Sequence, residues 1–298
     1  MSTSSTTYIL YKKPNGQTGK QTVHFSRFPD GDTHCVVSEP EVLHGCNILI
    51  IHSLYPDQNN RIIQLLWLLD TVREYGATKI EVFTPYMPYA RQDKRHAPGE
   101  AMSAFSLCKV IHDMGCACLY TLDCHFMKGA TDTTQNGLRI KSYSMGEQLI
   151  AACQGQIGHT DFEIIGPDKG ASYLTSSHGS KHMHKTRGEY TPNPEQERYR
   201  HVVKMEDSHI ELNYKTVLIL DDMISTGSTL LKAIDSLHGR GDFTIYVAAT
   251  HGLFIDDSLT KLTKLTKGIV TSDSIPNPTS ISLVDSTLER VVIPDWIT

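Results

Sequence analysis

Short apolar runs alternate along the chain with longer segments in which apolar residues recur every three or four positions. The runs have the length of buried strands, and the longer segments have the period of helices. This alternation is typical of parallel sheets, because a parallel connection needs a crossover that is usually a helix. The predicted strands are residues 47–51, 79–83, 117–122, 162–165, 216–220, 243–250 and 268–271, and the predicted helices are residues 61–75, 101–114, 145–153, 228–238 and 257–265.

The same alternation occurs on both sides of residues 138–145, which predicts two domains. A chain of 298 residues is long enough for two hydrophobic cores. We therefore expect an N-terminal domain over residues 1–140 and a C-terminal domain over residues 141–298. Inside the second domain, residues 175–212 are polar and charged and have little periodicity, which predicts a mobile catalytic loop.

Composition and charge exclude several classes of protein. Hydrophobic residues make up 39% and charged residues 20%, an ordinary balance for a globular protein. The net charge of -5 provides no general attraction to nucleic acid or to an anionic membrane. The apolar runs are far shorter than the roughly 20 residues of a membrane span, and the N-terminus has no secretory signal. We expect a cytoplasmic protein with neither nucleic acid nor membrane as a partner.

The seven cysteines are an odd number in a long chain, which argues against a disulfide framework and for a reducing compartment. Cys116, Cys118, Cys124 and His125 lie close together in the sequence and raise the question of a zinc site. They contain no C-x-x-C pair, and Cys118 and Cys124 flank an apolar run. Buried thiols are therefore favoured over zinc ligands.

The strongest chemical motif is VLILDDMISTGSTL, residues 217–230, in which an apolar strand leads through two acids and a turn into a helix. Backbone N–H groups at a helix N-terminus, together with the hydroxyls of the turn, can hold a phosphate. The two carboxylates can accept hydrogen bonds from ribose hydroxyls, and paired acids there would be unusual without a ligand. The residues assigned to a ribose phosphate are Asp221, Asp222, Ser225, Thr226, Gly227, Ser228 and Thr229.

Three segments of the first half also carry candidate chemistry. TPYMPYARQDKRHAPGEAMS, residues 84–103, concentrates charge after a strand and can hold a triphosphate, with arginine in bidentate contact. TLDCH, residues 121–125, ends a strand with an acid and a histidine, as a metal site would. HFSRFPDGD, residues 24–32, places an aromatic ring and two acids around a glycine. Taken singly, the charged segment could be a solvated loop and the histidine could be structural.

In their order and spacing, the motifs RFPDGD, YARQDKR, TLDCH, GPDKGA, HKTR and DDMISTGST resemble those of the ribose-phosphate pyrophosphokinases, also called phosphoribosyl pyrophosphate synthetases. HGLF, residues 251–254, is similar to the archaeal-type branch. The resemblance implies an α/β fold of two type I phosphoribosyltransferase-like domains. It implies transfer of the β,γ-diphosphate of ATP to the anomeric 1-hydroxyl of ribose 5-phosphate, with Mg²⁺ as cofactor and phosphoribosyl pyrophosphate and AMP as products. It also implies a homodimer or homohexamer whose subunits share the ATP site.

The resemblance also implies roles for individual residues. ATP would be bound by Phe28, Asp30, Asp32, Arg91, Gln92 and Asp93. The diphosphate loop would be formed by Asp168, Lys169 and Gly170, and Mg²⁺ would be placed by His125 and Asp168. Lys185 and Arg187 match the family's catalytic basic pair, whose charge would stabilise the oxygens of the transferring group.

Two departures from the family pattern stand out. In GPDKGASYL, residues 166–174, Ala171 replaces the second of two adjacent glycines, and the arginine usual near Leu174 is absent. These changes predict a less basic acceptor side. Before residue 24, the usual opening strand and helix are expected to be replaced by a polar stretch that carries tyrosines.

Three alternatives remain open at this point. The acceptor could be ADP-ribose, which divergent relatives found in phages use in rebuilding NAD⁺, and the product would then be ADP-ribose pyrophosphate. The chain could be a non-catalytic regulatory homologue, although its retention of His125, Asp168, Lys185 and Arg187 counts against this. A phosphoribosyltransferase that consumes the activated sugar would explain residues 217–230 but not the YARQDKR and TLDCH segments.

Overall fold

The computed structural model describes residues 7–129, 131–179, 181–183, 185–187, 203–205, 210–293 and 296, with the backbone alone for residues 185–187, 203–205 and 291. The chain divides into two compact units. The first unit contains Met1–Tyr143, Asp273–Pro276 and Ser282–Thr298, and the second contains Ser144–Ser272 and Asn277–Ile281. The C-terminal residues, which the predicted domain 141–298 includes, therefore group with the first unit.

The first unit is built on an eight-stranded sheet in the order β3-β2-β1-β4-β5-β6-β8-β7. Its strands are β1 (Tyr8–Lys12), β2 (Thr18–Arg27), β3 (Thr33–Val37), β4 (Asn47–Ile51), β5 (Lys79–Phe83), β6 (Cys116–Leu122), β7 (Asp132–Gln135) and β8 (Leu138–Tyr143). The four strands β4, β5, β6 and β8 run parallel to one another. Helices α1 (Gln58–Glu74) and α2 (Ser103–Asp113) connect β4 to β5 and β5 to β6.

The central strands are apolar at consecutive positions because both faces of the sheet are covered. In β4, the four residues from Ile48 to Ile51 are at most 1% exposed. A strand with one solvated face would instead alternate between apolar and polar residues. The predicted strands 47–51 and 79–83 are confirmed at both ends.

The expectation that a polar stretch replaces the opening strand is wrong. β1 pairs antiparallel with both β2 and β4, and its Ile9 is fully buried. The turn before β2 contains Asn15 and Gly16, and the Gly16 N–H donates to the Lys13 carbonyl at 2.9 Å. Gly16 has a φ of 85°, which a residue without a Cβ adopts readily. The aromatic and aliphatic residues of β1 together with this Asn-Gly turn are a hairpin signal in the sequence.

The second unit is built on a five-stranded sheet in the order β15-β14-β13-β12-β9, in which every neighbouring pair is parallel. Its strands are β9 (Phe162–Ile165), β12 (Thr216–Ile224), β13 (Thr244–Gly252), β14 (Gly268–Ser272) and β15 (Ser280–Ile281). Its helices are α3 (Gly146–Ile157), α4 (Ser228–His238) and α5 (Ser258–Leu265), with a 3-10 segment over Lys169–His178.

The helix α4 shows how the period of apolar residues specifies these elements. Leu230, Ala233, Ile234 and Leu237 recur on one face of the helix and are at most 1% exposed. They belong to one core cluster with Val217, Ile219 and Ile224 of β12 and Ile245, Val247 and Ala249 of β13. The predicted helix 228–238 is confirmed at both ends.

The remaining elements are short, and they include a 3-10 turn over Pro40–Leu43. Within the predicted catalytic loop over residues 175–212, β10 (Lys185–Arg187) pairs antiparallel with β11 (Val203–Met205). Residues 180, 184, 188–202 and 206–209 of that loop lie outside the described residues. Near the C-terminus, α6 (Val284–Thr287) continues into a π-helical turn over Leu288–Val292. The Asp273 carboxylate, which belongs to the same unit, accepts the N–H groups of Leu283 at 2.8 Å and Val284 at 2.9 Å.

The cysteines are thiols, and six of the seven are buried. Burial raises the pKa of the Cys118 thiol to about 11, so it is protonated at neutral pH. Among the residues that the structure describes, no group of three or more His, Cys, Asp or Glu side chains could hold a metal ion. In the same part of the chain, the helices are too short or too polar to cross a membrane.

A buried histidine follows β4 and is held in its neutral form. His52 Nδ1 lies 2.7 Å from the hydroxyl of Thr7, and Nε2 lies 3.0 Å from the carbonyl of Arg61. Nε2 therefore carries the proton, and Nδ1 accepts one from Thr7. Burial, the largest effect, lowers the pKa of His52 from 6.5 to about 4.

We expect His52→Gln to reduce the acid sensitivity of the protein. Because the unfolded chain binds a proton at His52 near pH 6.5 and the folded chain only near pH 4, His52 lowers the free energy of unfolding as the pH falls through this window. The free energy of unfolding of the wild type should fall between pH 7 and pH 4 by about 3 kcal/mol more than that of the variant. Urea unfolding at both pH values measures this difference. An equal loss of unfolding free energy between pH 7 and pH 4 in the two proteins would contradict the prediction.

Candidate active site

The candidate residues of the first unit follow the carboxyl ends of β5 and β6 or lie in the hairpin of β2 and β3. Neighbouring parallel strands end at the same edge of the sheet, so the loops after β5 and β6 are adjacent. Ligands of open α/β sheets bind in the crevice outside this edge. The loop after β5 begins beside β6, since the Thr84 N–H donates to the Tyr120 carbonyl at 2.9 Å.

The predicted ATP-binding residues Phe28, Asp30 and Asp32 form the tip of the β2–β3 hairpin. The Phe28 N–H donates to the Asp32 carbonyl at 2.9 Å, and the Asp30 carboxylate accepts the Asp32 N–H at 3.1 Å. Phe28 is 49% exposed and contacts the ring of His34, with the ring centroids 5.0 Å apart. The hairpin therefore presents an aromatic face and two exposed carboxylates to the outside of the unit.

The loop after β5 starts buried and ends in exposed charge. Residues 84–88 are buried, whereas Arg91 and Gln92 are exposed and Asp93 is half-buried. The Gln92 N–H donates to the carbonyl of Tyr89, which has a φ of 61°. A tyrosine in the left-handed region is strained, and such strain concentrates at functional sites.

The loop after β6 contains the predicted metal ligand His125. Asp123 is buried with a φ of 33°, and its N–H donates to the Tyr143 carbonyl at 3.0 Å. The Cys124 N–H donates to the Ser142 hydroxyl at 2.9 Å. These contacts hold the loop against β8, and His125 next to them is half-buried.

The start of α1 contacts both segments that are predicted to bind ATP, the β2–β3 hairpin and the loop after β5, which the sequence did not reveal. Asn60 Oδ1 accepts the hydroxyl of Thr33 at 2.9 Å, and Asn59 Oδ1 accepts the hydroxyl of Tyr89. Asp57, just before the helix, forms an exposed ion pair with Arg27 at 3.1 Å. The sequence DQNN after a strand is an ordinary helix start, so only contacts across 27 to 30 residues identify this function.

In the second unit, β12 extends to Ile224 instead of ending at residue 220 as predicted. Asp221 and Asp222 therefore lie inside the strand, which continues because β13 runs beside it as far as Gly252. After Ser225 and Thr226, the chain enters α4 at Gly227, which has a φ of 69°. Glycine provides no capping side chain, so N–H groups of the first turn can bind an anion.

Contacts from the β13–α5 connection support the turn before α4. The Ser258 hydroxyl donates to the Ser225 carbonyl at 3.1 Å, and the Ile255 N–H donates to the same carbonyl at 3.0 Å. Thr226 and Ser228 are exposed, and Ser225 and Thr229 are half-buried. Residues 225–229 thus form one continuous turn into α4, and its hydroxyl-bearing residues are exposed or half-buried.

Three carboxylates interact at this edge of the second sheet. The Asp222 N–H donates to the Asp221 carboxylate at 2.9 Å. Burial of the carboxyl raises the pKa of Asp221 well above its usual range, and the charges of Asp222 and Asp168 raise it further. Negative charges held together in this way favour a ligand that donates hydrogen bonds or carries positive charge.

The predicted diphosphate loop follows β9, the neighbour of β12. Asp168 caps the 3-10 segment, since its carboxylate accepts the Gly170 N–H at 2.7 Å. Lys169 and Gly170 are exposed. Ala171 and Leu174, the two positions that depart from the family pattern, are buried, at 2% and 3% exposure. Near the position where the family pattern has an arginine, this loop therefore has a buried apolar side chain, Leu174.

The predicted catalytic pair Lys185 and Arg187 lies on β10. The structure describes the backbone of this strand, and the side chains of both residues lie outside the described residues. The strand follows residues 181–183, which contact the end of β9: the Gly166 N–H donates to the Lys181 carbonyl at 2.8 Å, and the Met183 N–H donates to the Gly166 carbonyl at 3.1 Å.

Comparisons with known proteins agree with this architecture. Residues 14–115 match the family model for the N-terminal domain of ribose phosphate pyrophosphokinase, and residues 210–290 match that of the phosphoribosyl synthetase-associated domain. The phosphoribosylpyrophosphate synthetase of Mycobacterium smegmatis has a similar fold, with a TM-score of 0.71 at 21% identity over 92% of this chain and 91% of that one.

Curated archaeal relatives align along most of the chain. The ribose-phosphate pyrophosphokinase of Methanopyrus kandleri is 30% identical over 266 residues, which are 86% of this chain and 84% of the relative. That of Pyrococcus furiosus is also 30% identical, over 89% of this chain and 91% of the relative. Because both halves match and the alignments span nearly the whole length, the chain belongs to the ribose-phosphate pyrophosphokinase family and is an enzyme of the diphosphokinase type.

Proposed function

We propose that this enzyme transfers the β,γ-diphosphate of ATP to the anomeric 1-hydroxyl of ribose 5-phosphate, giving phosphoribosyl pyrophosphate and AMP. The observation that carries the proposal is the combination, at one sheet edge, of a glycine-started helix and a carboxylate cluster. A sugar phosphate offers the matching groups, namely an anion for the helix and hydroxyl donors for the acids. The names of the archaeal relatives support the same substrates.

The second unit would bind the acceptor. Asp221 and Asp222 would accept hydrogen bonds from the ribose 2- and 3-hydroxyls. These donors would stabilise the negative charge of the carboxylate cluster. The 5-phosphate would be bound by N–H groups of the first turn of α4 and by the hydroxyls of Ser225, Thr226, Ser228 and Thr229. Gly227 lets the phosphate approach the backbone closely.

The first unit would bind ATP. Arg91 would contact phosphate oxygens, and Gln92 and Asp93 would hold the nucleotide, since these residues lie in the exposed part of the loop after β5. The exposed hairpin tip with Phe28, Asp30 and Asp32 would contact the adenine of ATP bound to a neighbouring copy. This arrangement accounts for the exposure of Phe28 and calls for a homodimer or a homohexamer.

The candidate metal ligands are few, as is usual for Mg²⁺ in enzymes that act on polyphosphates. Mg²⁺ uses one or two protein side chains and takes its other ligands from phosphates and water. Asp168, a half-buried carboxylate among like charges, fits this pattern in the second unit. In the first unit, the half-buried His125 is the candidate ligand. When bound, Mg²⁺ would neutralise charge on the polyphosphate of ATP.

In the chemical step, the 1-hydroxyl oxygen of the ribose attacks the β-phosphorus in line. The bond from this phosphorus to the oxygen that bridges to the α-phosphate breaks, AMP leaves, and the hydroxyl proton passes to solvent. Lys185 and Arg187 would stabilise the charge that develops on the transferring and leaving oxygens. This route requires no covalent intermediate with the enzyme.

The same chemistry on ADP-ribose is a second candidate, because Leu174 leaves the loop after β9 without the expected arginine. The deciding experiment measures AMP release from ATP and Mg²⁺ with ribose 5-phosphate and ADP-ribose in parallel, with mass spectrometry of the product. One diphosphate added to ribose 5-phosphate is the expected result. Addition to ADP-ribose alone would replace the acceptor in the proposal, and no AMP release with either would favour the regulatory homologue.

We expect Lys185→Ala to slow transfer strongly while ATP still binds. Loss of one cation that stabilises the transition state lowers kcat by about 10²–10³-fold. AMP release and ATP titration by calorimetry separate the two effects. Lys109→Ala, which removes an exposed lysine of the Lys109–Asp113 ion pair on α2, is the matched control and should change neither. A Lys185→Ala enzyme with unchanged kcat would remove Lys185 from the catalytic pair.

We expect Asp221→Asn to weaken acceptor binding and to stabilise the protein without substrate. The loss of a charged hydrogen-bond acceptor should raise the KM for ribose 5-phosphate by about 10- to 100-fold. Relief of the repulsion among the three carboxylates should raise the free energy of unfolding by about 1 kcal/mol at pH 7. An acid with a raised pKa loses folded-state stability as the pH rises, so this gain should vanish below its ordinary pKa of 3.8.

Initial rates and urea unfolding at pH 7 test the two expectations separately. A variant with an unchanged KM would show that Asp221 does not contact the acceptor. A variant less stable than the wild type would show that the carboxylate makes favourable contacts that outweigh the repulsion.

A further inference from the structure

Glu163 on β9 is a buried acid at a position where the sequence predicts an ordinary core strand. Its side chain is 8% exposed, and its neighbours Ile164 and Ile165 are buried apolar residues of the same strand. An acid in such a strand is costly unless it is paired and hydrogen-bonded. Glu163 has an ion-pair partner and a hydrogen-bond partner. They come from the two ends of residues 181–213, the segment that carries Lys185 and Arg187.

The first partner is Lys181, at the N-terminal end of that segment. Lys181 Nζ lies 2.7 Å from Glu163 Oε2, and 30% of the Lys181 side chain is exposed. The backbone of Lys181 is fixed as well, because its carbonyl accepts the Gly166 N–H at 2.8 Å. Met183, two positions further on, is fully buried. The chain is therefore anchored to β9 up to a point two residues before Lys185.

The second partner is the backbone of Asn213, at the C-terminal end of the segment. Its N–H donates to Glu163 Oε1 at 2.7 Å. Lys181 Nζ also donates to the Glu211 carbonyl at 3.2 Å, across 30 residues of sequence. One carboxylate and one ammonium group thus join both ends of the segment to each other and to the sheet.

The charges in this contact stabilise each other. Burial alone raises the pKa of Glu163, but hydrogen bonds from Lys181 and Asn213 outweigh this effect and lower it below the ordinary value. Glu163 is therefore ionised at neutral pH. Removing Lys181 leaves the buried Glu163 carboxylate uncompensated, so this contact responds sharply to substitution.

We propose that Glu163 is a positioning residue for the transfer reaction. By binding Lys181 and the Asn213 N–H, it fixes the backbone on both sides of the segment in which β10 carries Lys185 and Arg187. This inference rests on the proposed function of that basic pair. A displacement of about 1 Å at a catalytic group can lower the rate by about 10²-fold. The contacts of Glu163 can therefore affect the rate without touching the substrate.

Glu163→Gln tests the proposal because it keeps the size of the side chain and removes the charge. We expect kcat for AMP release to fall by about 10- to 100-fold, with the KM values for ATP and ribose 5-phosphate within about 2-fold of the wild type. Lys181→Met should give the same pattern. Lys181→Arg, which can still pair with Glu163, should retain most of the rate.

Asp70→Asn, which breaks the exposed Arg73–Asp70 ion pair on α1, is the charge-loss control and should leave kcat unchanged. Circular dichroism and thermal unfolding establish that each variant is folded at the assay temperature. A folded Glu163→Gln enzyme with wild-type kcat would overturn the proposal. So would a loss of rate that Lys181→Arg shows to the same extent as Lys181→Met.

Amide hydrogen exchange tests the anchoring without any need for activity. In Glu163→Gln, the amides of Asn213 and Met183 should exchange faster than in the wild type, while the core amides of β12 remain protected. If the wild type releases no AMP, the proposed function fails, and the exchange result still decides whether Glu163 holds the two ends together. Unchanged protection at Asn213 and Met183 would refute the anchoring itself.

Discussion

The common direction of the central strands is the constraint on which the candidate site depends. In a parallel arrangement, the carboxyl ends of neighbouring strands meet at one edge, and the segments that follow them are adjacent whatever their distance in sequence. In the first unit this places the loops after β5 and β6 side by side. In the second it places Asp168 beyond β9 close enough to Asp221 on β12 for their charges to interact.

The same edges contain energetically unfavourable features. Tyr89 and Asp123 adopt positive φ values, and Asp221 is held near two other negative charges. Such features lower stability and persist where function requires them. They are tolerated because the strands that precede or contain them are embedded in apolar cores, as the fully buried residues Val82 of β5 and Ile219 of β12 illustrate. A ligand that donates hydrogen bonds or bears positive charge would relieve the repulsion among the carboxylates.

Sequence reasoning succeeded where one short stretch contains all the information about its own structure. The strand 47–51 is an apolar run after a single polar residue, the strand 79–83 has three apolar residues among its five, and α4 has apolar residues at helical spacing between Gly227 and Gly239. It failed at the N-terminal hairpin, where β2 alternates between exposed and buried residues and reads as polar. The predicted end of β12 at residue 220 was also wrong. The residues after the apolar run continue the strand because they pair with β13, which the local sequence does not show.

The sequence by itself determined the two-fold repetition of the α/β pattern, the family and the residues whose chemistry suits phosphate, ribose and nucleotide. These properties follow from local patterns, because side-chain chemistry and strand or helix period are set within a few residues. Only the tertiary structure decided which of these residues have supporting contacts. Contacts across 18 to 50 residues join Asn59 to Tyr89, Ser258 to Ser225, and Glu163 to both Lys181 and Asn213. Such contacts have no local signature, since they form only when the folded sheets bring distant segments together.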